Sequence, residues 1–111
     1  MEFDNNKSIY LQITDIICDK ILAGELKPGD RIQSVREFGA DCQVNPNTIV
    51  RSYERLTADG IIYNKRGIGY FIADNALETV LEQQRKEFME QELPKIKRRL
   101  QLLGLKPSDI F

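Results

Sequence analysis

The first part of the chain has isoleucines spaced for one face of a helix. They lie at steps of three and four residues, which is typical of an amphipathic α-helix. The stripe consists of Ile9, Ile13, Ile16, Ile17 and Ile21. Ser8 is suited to the N-cap, because its hydroxyl can accept a hydrogen bond from a free backbone amide of the first turn. Gly24 is typical of a helix end, so the pattern predicts a helix over residues 8–23.

A short helix is predicted next, over residues 35–42. Ser34 and Glu37 stand three positions apart and fit a capping box, in which each side chain hydrogen-bonds a backbone amide at the helix start. The inward face would carry Val35, Phe38 and Cys42. Gly39 would let a neighbouring helix approach closely.

A third helix is expected after a turn at residues 43–44. Asn45 is suited to its N-cap, and Pro46 to its first position, where the missing N–H breaks no hydrogen bond. The helix would end at Gly60. Its buried face would carry Ile49, Tyr53 and Leu56, and its opposite face Asn47, Thr48, Arg51 and Arg55.

Two β-rich runs, residues 61–63 and 68–72, follow the third helix. The segment that joins them contains Lys65, Arg66 and Gly67, which predicts a hairpin with a basic tip. Gly69 inside the second run indicates a bulge or a close backbone approach, and Ile32 is expected to add one strand-like rung. Two short helices, a tight turn and a basic hairpin are the layout of a winged helix-turn-helix.

The pattern changes near residue 74, and residues 75–111 are predicted to be helical. Pro94 either interrupts one helix or starts a second. Apolar residues recur at helical and then heptad-like spacing, at Leu77, Leu81, Phe88, Leu93, Ile96, Leu100 and Leu103. We therefore predict an α+β, mostly α fold, with a winged helix-turn-helix DNA-binding domain in residues 1–74 and a helical dimerisation region in residues 75–111.

The apolar face of the C-terminal helices needs a partner. So short an amphipathic segment cannot bury both of its apolar faces by itself. It could fold back onto the first domain, but pairing with the same segment of a second chain would bury it better, and isologous dimers are the commonest assembly. We expect a homodimer.

The composition excludes several classes of protein. Hydrophobic residues form 41% of the 111 residues, enough for a modest core. No apolar run reaches the ~18 residues of a membrane span. A secretory signal begins with basic residues, whereas this chain begins Met1-Glu2-Phe3-Asp4. The expectation is a cytoplasmic protein with no membrane association.

The residue types present also argue against catalysis. The chain has no histidine, no glycine-rich phosphate loop and no cysteine in a nucleophile setting. Cys18 and Cys42 fit no metal-ligand spacing and occupy apolar helical positions, which predicts buried free thiols rather than a disulfide. We expect no enzyme activity, no metal and no cofactor.

The polar face of the third helix carries the side chains that read DNA bases. The major groove admits a helix, in which asparagine can bond adenine, a threonine methyl can touch thymine and arginine can grip guanine. Asn47, Thr48 and Arg51 are candidates for these contacts. Arg36 would hold a phosphate at the start of the second helix. Lys65 and Arg66 would reach the minor groove or its phosphates.

The net charge of −1 does not oppose this interpretation, because polyanion binding depends on how charge is distributed. Residues 45–56 carry two arginines against Glu54 alone, and the hairpin carries two cations and no acid. A solvated helix face is the ordinary alternative, but the flanking helix and hairpin favour DNA. Three aromatic residues could stack on single strands, although core packing against the third helix is favoured; they are Tyr63, Tyr70 and Phe71.

Taken in order, these residues resemble the GntR family of bacterial transcription regulators, and the short tail is most similar to its YtrA-like subfamily. The resemblance covers the N-terminal two thirds of the chain. It rests on Ile9-Tyr10-Leu11-Gln12-Ile13, Gly24, Leu26, Pro28-Gly29-Asp30-Arg31-Ile32, Ser34-Val35-Arg36-Glu37, Asn45-Pro46-Asn47-Thr48-Ile49, Tyr53, Leu56, Gly60-Ile61-Ile62 and Gly67-Ile68-Gly69.

The resemblance implies a dimeric repressor on a two-fold symmetric operator, with DNA contacts by the third helix, Arg36 and the Gly67–Gly69 wing. The full set of candidate DNA-binding residues is Arg36, Asn45, Asn47, Thr48, Arg51, Arg55, Lys65, Arg66, Gly67 and Gly69. Val50 stands where many members have arginine, so the base preferences of the broader family do not transfer. Gln43 stands where glycine is frequent, and a left-handed conformation there would store ~1 kcal/mol of strain.

The predicted function is sequence-specific binding of double-stranded DNA, as a homodimeric repressor on a palindromic operator. The alternative is a winged-helix module that binds protein, in which case DNA affinity would not vary with base sequence. Most GntR members have a large effector domain, whereas two short helices cannot enclose the ~300 Å³ of a drug-sized pocket. A small-molecule effector, which the sequence does not identify, would have to bind between subunits or domains.

Overall fold

In the computed structural model, three helices precede a β-hairpin and two further helices follow it. The structure describes residue 3 and residues 7–111. The elements are α1 (Ile9–Leu22), α2 (Val35–Cys42), α3 (Pro46–Ala58), β1 (Ile62–Lys65), β2 (Gly69–Ile72), α4 (Ala76–Glu87), a π-helical turn (Phe88–Glu92), α5 (Leu93–Leu102) and a 3₁₀ turn (Pro107–Asp109). The predicted fold class, α+β and mostly α, is confirmed.

The two short helices begin where their caps predict. In α2, the Glu37 backbone N–H donates to Ser34 Oγ at 3.1 Å, and the Ser34 N–H donates to Glu37 Oε1 at 3.3 Å. In α3, the Asn47 N–H donates to Asn45 Oδ1 at 2.9 Å. These bonds satisfy amides that have no partner inside the helix. Ser8 stands at the N-cap of α1, but its side chain makes no capping hydrogen bond.

The core is formed where α1 and α3 pack with the hairpin and the start of α4. Its fully buried residues include Ile13 and Ile17 of α1, Ile49, Tyr53 and Leu56 of α3, Ile61, Ile62 and Ile72 of the hairpin, and Ala76 and Val80 of α4. The predicted stripe of α1 is wrong at its first member, because the Ile9 side chain is 43% exposed. The remaining isoleucines of the stripe belong to the core or pack against it.

The turn between α2 and α3 is tight at two points. A Cβ atom on Gly39 would lie 2.9 Å from the Val44 carbonyl oxygen, so a side chain there would push the turn away. Gln43 has φ 56° and ψ 45°, the left-handed conformation. Its backbone N–H donates to the Ala40 carbonyl oxygen at 3.3 Å, and the chain turns directly into α3. The glycine-like geometry anticipated at Gln43 is therefore present.

The hairpin pairs β1 and β2 antiparallel, with Tyr63 opposite Phe71 and Lys65 opposite Gly69. A third rung is added by the loop before α2, because Arg31 bridges Phe71 and the Ile32 N–H donates to the Tyr70 carbonyl oxygen at 3.0 Å. The rung expected at Ile32 is confirmed. The alternation of faces places Ile32 in the core and leaves Arg31 exposed.

The chain divides into two compact units, Met1–Val80 and Leu81–Phe111. The first turn of α4 belongs to the first unit, since Ala76 and Val80 are both buried. In the second unit Pro94 stands in the first turn of α5, directly after the π-helical turn. A proline lacks the N–H that would bond back along the preceding helix, so it both interrupts the helix and starts a new one. Gly104, with φ 67°, follows the end of α5.

Both cysteines are free and buried, as predicted. Burial, reinforced by the carboxylates of Asp15, Asp19 and Asp59, raises the pKa of the Cys18 thiol to about 12. Burial, with a contribution from the Asp41 carboxylate, raises the pKa of Cys42. These thiols are therefore kept in the protonated form that an apolar core accommodates.

Candidate nucleic-acid interface

The polar face of α3 is anchored by the buried face behind it. Ile49, Tyr53 and Leu56 are at most 1% exposed, and the Tyr53 hydroxyl donates to the Gln33 carbonyl oxygen at 2.6 Å. Burial of the Tyr53 ring raises the pKa of its hydroxyl, which stays a donor. Asn47, Arg51 and Arg55 recur every four positions and share one side of the helix, and Thr48 lies next to Asn47. Asn47, Arg51 and Arg55 are exposed there, and Thr48 is half-buried.

Arg51 is held by an aromatic ring. Its Cζ atom lies 4.0 Å from the centroid of the Tyr10 ring, in the first turn of α1. This is within the ~6 Å range of a cation–π contact. An aromatic face accepts no N–H···O hydrogen bond, so the guanidinium donors of Arg51 are available to a ligand.

Arg55 has a different environment. Its Nε atom lies 3.1 Å from Asp59 Oδ2, an ion pair between residues four positions apart on the helix. The carboxylate offsets part of the positive charge that the sequence analysis assigned to this face. The pair could have been found from the spacing alone, because residues four apart on a helix are neighbours.

Arg36 and Asn45 lie at the starts of α2 and α3. Arg36 is exposed in the first turn of α2, where the helix dipole and free amides favour an anion. Asn45 is exposed, but its Oδ1 is engaged as the cap of α3. The structure thus gives Asn45 a structural role, and a DNA contact by its amide group is a prediction.

The wing, residues 65–69 at the tip of the hairpin, is exposed from Lys65 to Ile68. Lys65 Nζ lies 4.7 Å from the Phe71 ring centroid. Ile68 is 59% exposed and is the one apolar side chain of the wing. Ile68 was not predicted as a site residue, although it stands between the two glycines of the wing.

The aromatic residues of the hairpin divide between its two faces. Tyr70 packs edge-on against Tyr53 with centroids 4.9 Å apart, which confirms the expected packing against α3. The same expectation is wrong for Tyr63 and Phe71. They stack on each other at 5.8 Å on the opposite face, because alternate residues of a strand point to opposite sides.

Gly69 accommodates the side chain of Arg31. It has φ 143°, and a Cβ atom there would lie 2.9 Å from Arg31 Nε. The close approach predicted at Gly69 is thus made by a guanidinium group, not by a neighbouring backbone. Arg31 is a third cation at the wing, beside Lys65 and Arg66, and the sequence analysis missed it because the contact depends on strand register.

The apolar residues predicted for dimerisation lie on α4, the π-helical turn and α5, except Leu103, which directly follows α5. Four are exposed, namely Leu77, Phe88, Ile96 and Leu103, and Leu81, Leu93 and Leu100 are half-buried. Further exposed apolar residues, not included in the prediction, are Met89, Leu102, Leu105 and Ile110. No side chain of residues 81–111 is fully buried. Exposed apolar residues gathered in one segment are typical of surfaces that contact another molecule.

The His, Cys, Asp and Glu residues that the structure describes form no group of three able to hold a metal ion. No helix in the described ranges has the length and apolar character needed to cross a membrane.

A helix pair with a tight turn, a solvent-facing polar surface on the second helix and a basic wing together define the winged helix-turn-helix class of DNA-binding regulators. The chain belongs to the GntR family, because the family model for bacterial regulatory proteins, gntR family, matches residues 9–72.

Two curated relatives from Bacillus subtilis (strain 168) extend the match. The chain is 36% identical over 110 residues to the uncharacterised HTH-type transcriptional regulator YhcF, a match that covers 99% of this chain and 89% of YhcF. It is 42% identical over 74 residues to the HTH-type transcriptional repressor YtrA, which covers 67% of this chain and 57% of YtrA. This chain is therefore a YtrA-like member and a transcriptional regulator with a DNA-binding domain, and these relatives are regulators rather than enzymes.

Solved structures show the same fold. A GntR family regulator from Listeria monocytogenes matches with a TM-score of 0.78 and 33% identity, over 97% of this chain and 93% of that one. YtrA from Sulfolobus acidocaldarius matches with a TM-score of 0.63 and 30% identity, over 79% and 93%. The AraR DNA-binding domain, solved in complex with operator ORX1, matches with a TM-score of 0.58 and 26% identity, over 65% and 93%.

Proposed function

We propose that this protein is a transcriptional repressor that binds a palindromic operator in double-stranded DNA as a homodimer. The observation that carries the proposal is the α3 helix, buried on one side and presenting Asn47, Thr48 and Arg51 on the other. The relative YtrA is named a repressor, and the AraR domain was solved with an operator. Both support a function on DNA.

The exposed α3 face would enter the major groove. Asn47 and Thr48, in the first turn of the helix, would lie deepest, with Arg51 one turn further along. A bidentate contact from Arg51 to guanine contributes ~1–3 kcal/mol of discrimination against the wrong base. Arg55 contributes less to base reading, because Asp59 engages its guanidinium.

Contacts to the DNA backbone would set the register of the helix. Arg36 would bind a phosphate at the start of α2, and the wing would contact the neighbouring minor groove through Lys65 and Arg66. Gly67 and Gly69, at φ 79° and 143°, provide backbone conformations that side-chain-bearing residues rarely adopt. Gly67 would thus shape the wing tip for close approach to DNA, and Gly69 leaves room for the Arg31 side chain beside it.

Dimerisation would be supplied by the second unit, in which no side chain is fully buried. Its exposed apolar residues, such as Phe88, Ile96 and Leu103, would be covered by the same segment of a second copy. A two-fold dimer presents two α3 helices, so its operator is a palindrome with half-sites about one helical turn apart. A cytoplasmic location, where chromosomal DNA would be accessible, is part of this proposal.

The test is footprinting on the DNA upstream of the protein's own gene, across a series of salt concentrations. We expect a protected palindrome, and we expect Arg51→Ala to weaken specific binding by ~1–3 kcal/mol while relaxing base preference. Lys20→Ala, which removes one positive charge from the last turn of α1, is the charge-matched control and should leave base preference unchanged. Equal affinity for all sequences would reject the proposal and favour a module that binds protein.

A further inference from the structure

We propose that Tyr10 is a positioning residue for base recognition: its ring holds the Arg51 guanidinium in place on the surface of α3 before DNA binds. This inference rests on the proposed function, because it assigns Arg51 to base reading. It adds a residue of α1, outside the helix-turn-helix, to the determinants of specificity.

The backbone that carries the ring is tied to α3 by a hydrogen bond. Ser52, directly after Arg51, is fully buried, and its Oγ donates to the Tyr10 carbonyl oxygen at 2.8 Å. Two consecutive residues of α3 therefore contact the same residue of α1, one through a buried hydrogen bond and the other through the 4.0 Å cation–π contact. The ring is half-buried and lies under Arg51 as part of the packing of α1 against α3.

A neutral ring suits this purpose better than a carboxylate. Asp59 takes a donor of Arg55 and offsets its charge, whereas the Tyr10 face takes no hydrogen-bond donor from Arg51. The Arg51 side chain is thus restrained while its charge and its N–H groups stay available for guanine. Ordering a long side chain on binding costs conformational entropy, and here part of that cost is incurred in the free protein.

Loss of the Tyr10 ring should affect DNA binding differently from loss of a cation. Removing the ring leaves the number of positive charges unchanged, so the affinity for unrelated DNA and the dependence on salt should stay constant. Only the preference for the operator should fall. An exposed cation–π contact contributes ~0.5–1 kcal/mol, which corresponds to a loss of about two- to fivefold in operator affinity.

The experiment compares full-length wild-type protein with Tyr10→Leu and Tyr10→Phe. The probes are a duplex carrying the site selected by wild-type protein from random duplexes, and a scrambled duplex of equal length. Tyr10→Leu should lose about two- to fivefold on the selected site alone, at each salt concentration. Tyr10→Phe keeps the ring and should bind like wild type. In an Arg51→Ala background, Tyr10→Leu should cause no further loss.

Three results would overturn the inference. A loss of operator affinity in Tyr10→Phe equal to that in Tyr10→Leu would assign the effect to the hydroxyl. A parallel loss of affinity on both duplexes would indicate a general effect on DNA binding or folding. Additive losses in the double variant with Arg51→Ala would show that the two residues act independently. Thermal unfolding of each variant then shows whether a parallel loss on both duplexes comes from a folding defect or from weaker DNA binding in general. A wild-type protein that selects no site would reject the proposed function, whereas selection that Tyr10→Leu does not weaken would reject only this inference.

Discussion

Gln43 holds a backbone conformation that glycine adopts more readily. Among the residues that the structure describes, it is the one non-glycine residue with positive φ. We expect Gln43→Gly to raise the free energy of unfolding by up to ~0.6 kcal/mol, because relief of ~1 kcal/mol of strain exceeds the ~0.4 kcal/mol or more that the added entropy of the unfolded chain costs. Urea unfolding followed by circular dichroism measures this.

A matched control lies three residues earlier, in the last turn of α2. Ala40 is exposed and α-helical, so Ala40→Gly should destabilise the protein by ~0.5–1 kcal/mol. A loss of stability in both variants would show that Gln43 is not strained. Because the change in the free energy of unfolding is expected to be positive in one variant and negative in the other, a general effect of glycine cannot explain both.

The Cys18 thiol makes stability depend on alkaline pH. Burial raises its pKa from the ordinary thiol value of 9.0 to about 12 in the folded protein. Below pH 9 the thiol is protonated in both the folded and the unfolded state, so its contribution to the free energy of unfolding is fully present. As pH rises from 9 towards 12 the unfolded chain loses its proton first, so stability falls by up to about 1.4 kcal/mol per pH unit. The raised pKa values of Cys42 and Tyr53 act in the same direction.

The measurement is urea unfolding at pH 8 and pH 10. Wild-type protein should lose stability between these conditions, and Cys18→Ala should lose less because it lacks one titrating group. The quantity compared is the change in the free energy of unfolding between pH 8 and pH 10. A loss of stability that the smaller alanine side chain causes at both pH values therefore cancels. An identical decrease in both proteins would contradict the assignment to Cys18.

At the scale of elements, local signals predicted the helices well. The bounds of α2 were predicted because Ser34 and Glu37 form a reciprocal cap within four residues, and α3 begins at Pro46 because Asn45 caps it. Contacts between elements were not predictable in this way. Arg51 meets Tyr10, and Arg31 meets Gly69, only after the chain has folded. No period or motif encodes such a pairing.

The hairpin illustrates the same division. Its glycines and basic tip indicated the turn, but the strands extend differently from the predicted runs, to Lys65 in β1 and from Gly69 in β2. Register, which is set by pairing across the turn, decides that Tyr63 and Phe71 face away from α3 while Tyr70 faces it. The aromatic residues alone could not distinguish these faces.

The wing as an element supplies a prediction about salt. Lys65→Ala should weaken binding to all DNA sequences alike and lower the slope of log affinity against log salt concentration by about one, because one fewer phosphate is neutralised. Filter binding or fluorescence anisotropy at four or more salt concentrations gives the slope. Lys20→Ala again serves as the control. An unaltered slope in Lys65→Ala would count against a phosphate contact by the wing.

At the scale of the whole molecule, the first unit has a core and the second lacks one. We expect the double variant Ile96→Glu and Leu103→Glu to be monomeric, because two carboxylates on the apolar surface of α5 would be costly to bury in a dimer interface. Lys97→Glu changes the charge of an exposed residue on the same helix and should leave the dimer intact. Light scattering or sedimentation gives the mass of each protein.

A truncation provides an independent check of the dimer. Removing residues 82–111 keeps Ala76 and Val80, both fully buried in the core, and should give a folded monomer. Circular dichroism verifies the fold. A truncated protein that is still dimeric would place the interface in the first unit. A truncation at the predicted domain boundary, which removes residues 75–111, would instead delete two core side chains, Ala76 and Val80, as well as the proposed interface.

The π-helical turn at Phe88–Glu92 has a geometric consequence for the second unit. A turn of this kind holds one residue more than a regular α-helical turn, and each residue of a helix advances the side chains by about 100°. Deleting a single residue there would rotate Leu93, Ile96 and Leu100 together around the axis of α5. One additional residue thus sets the direction in which the apolar side chains of α5 face relative to α4.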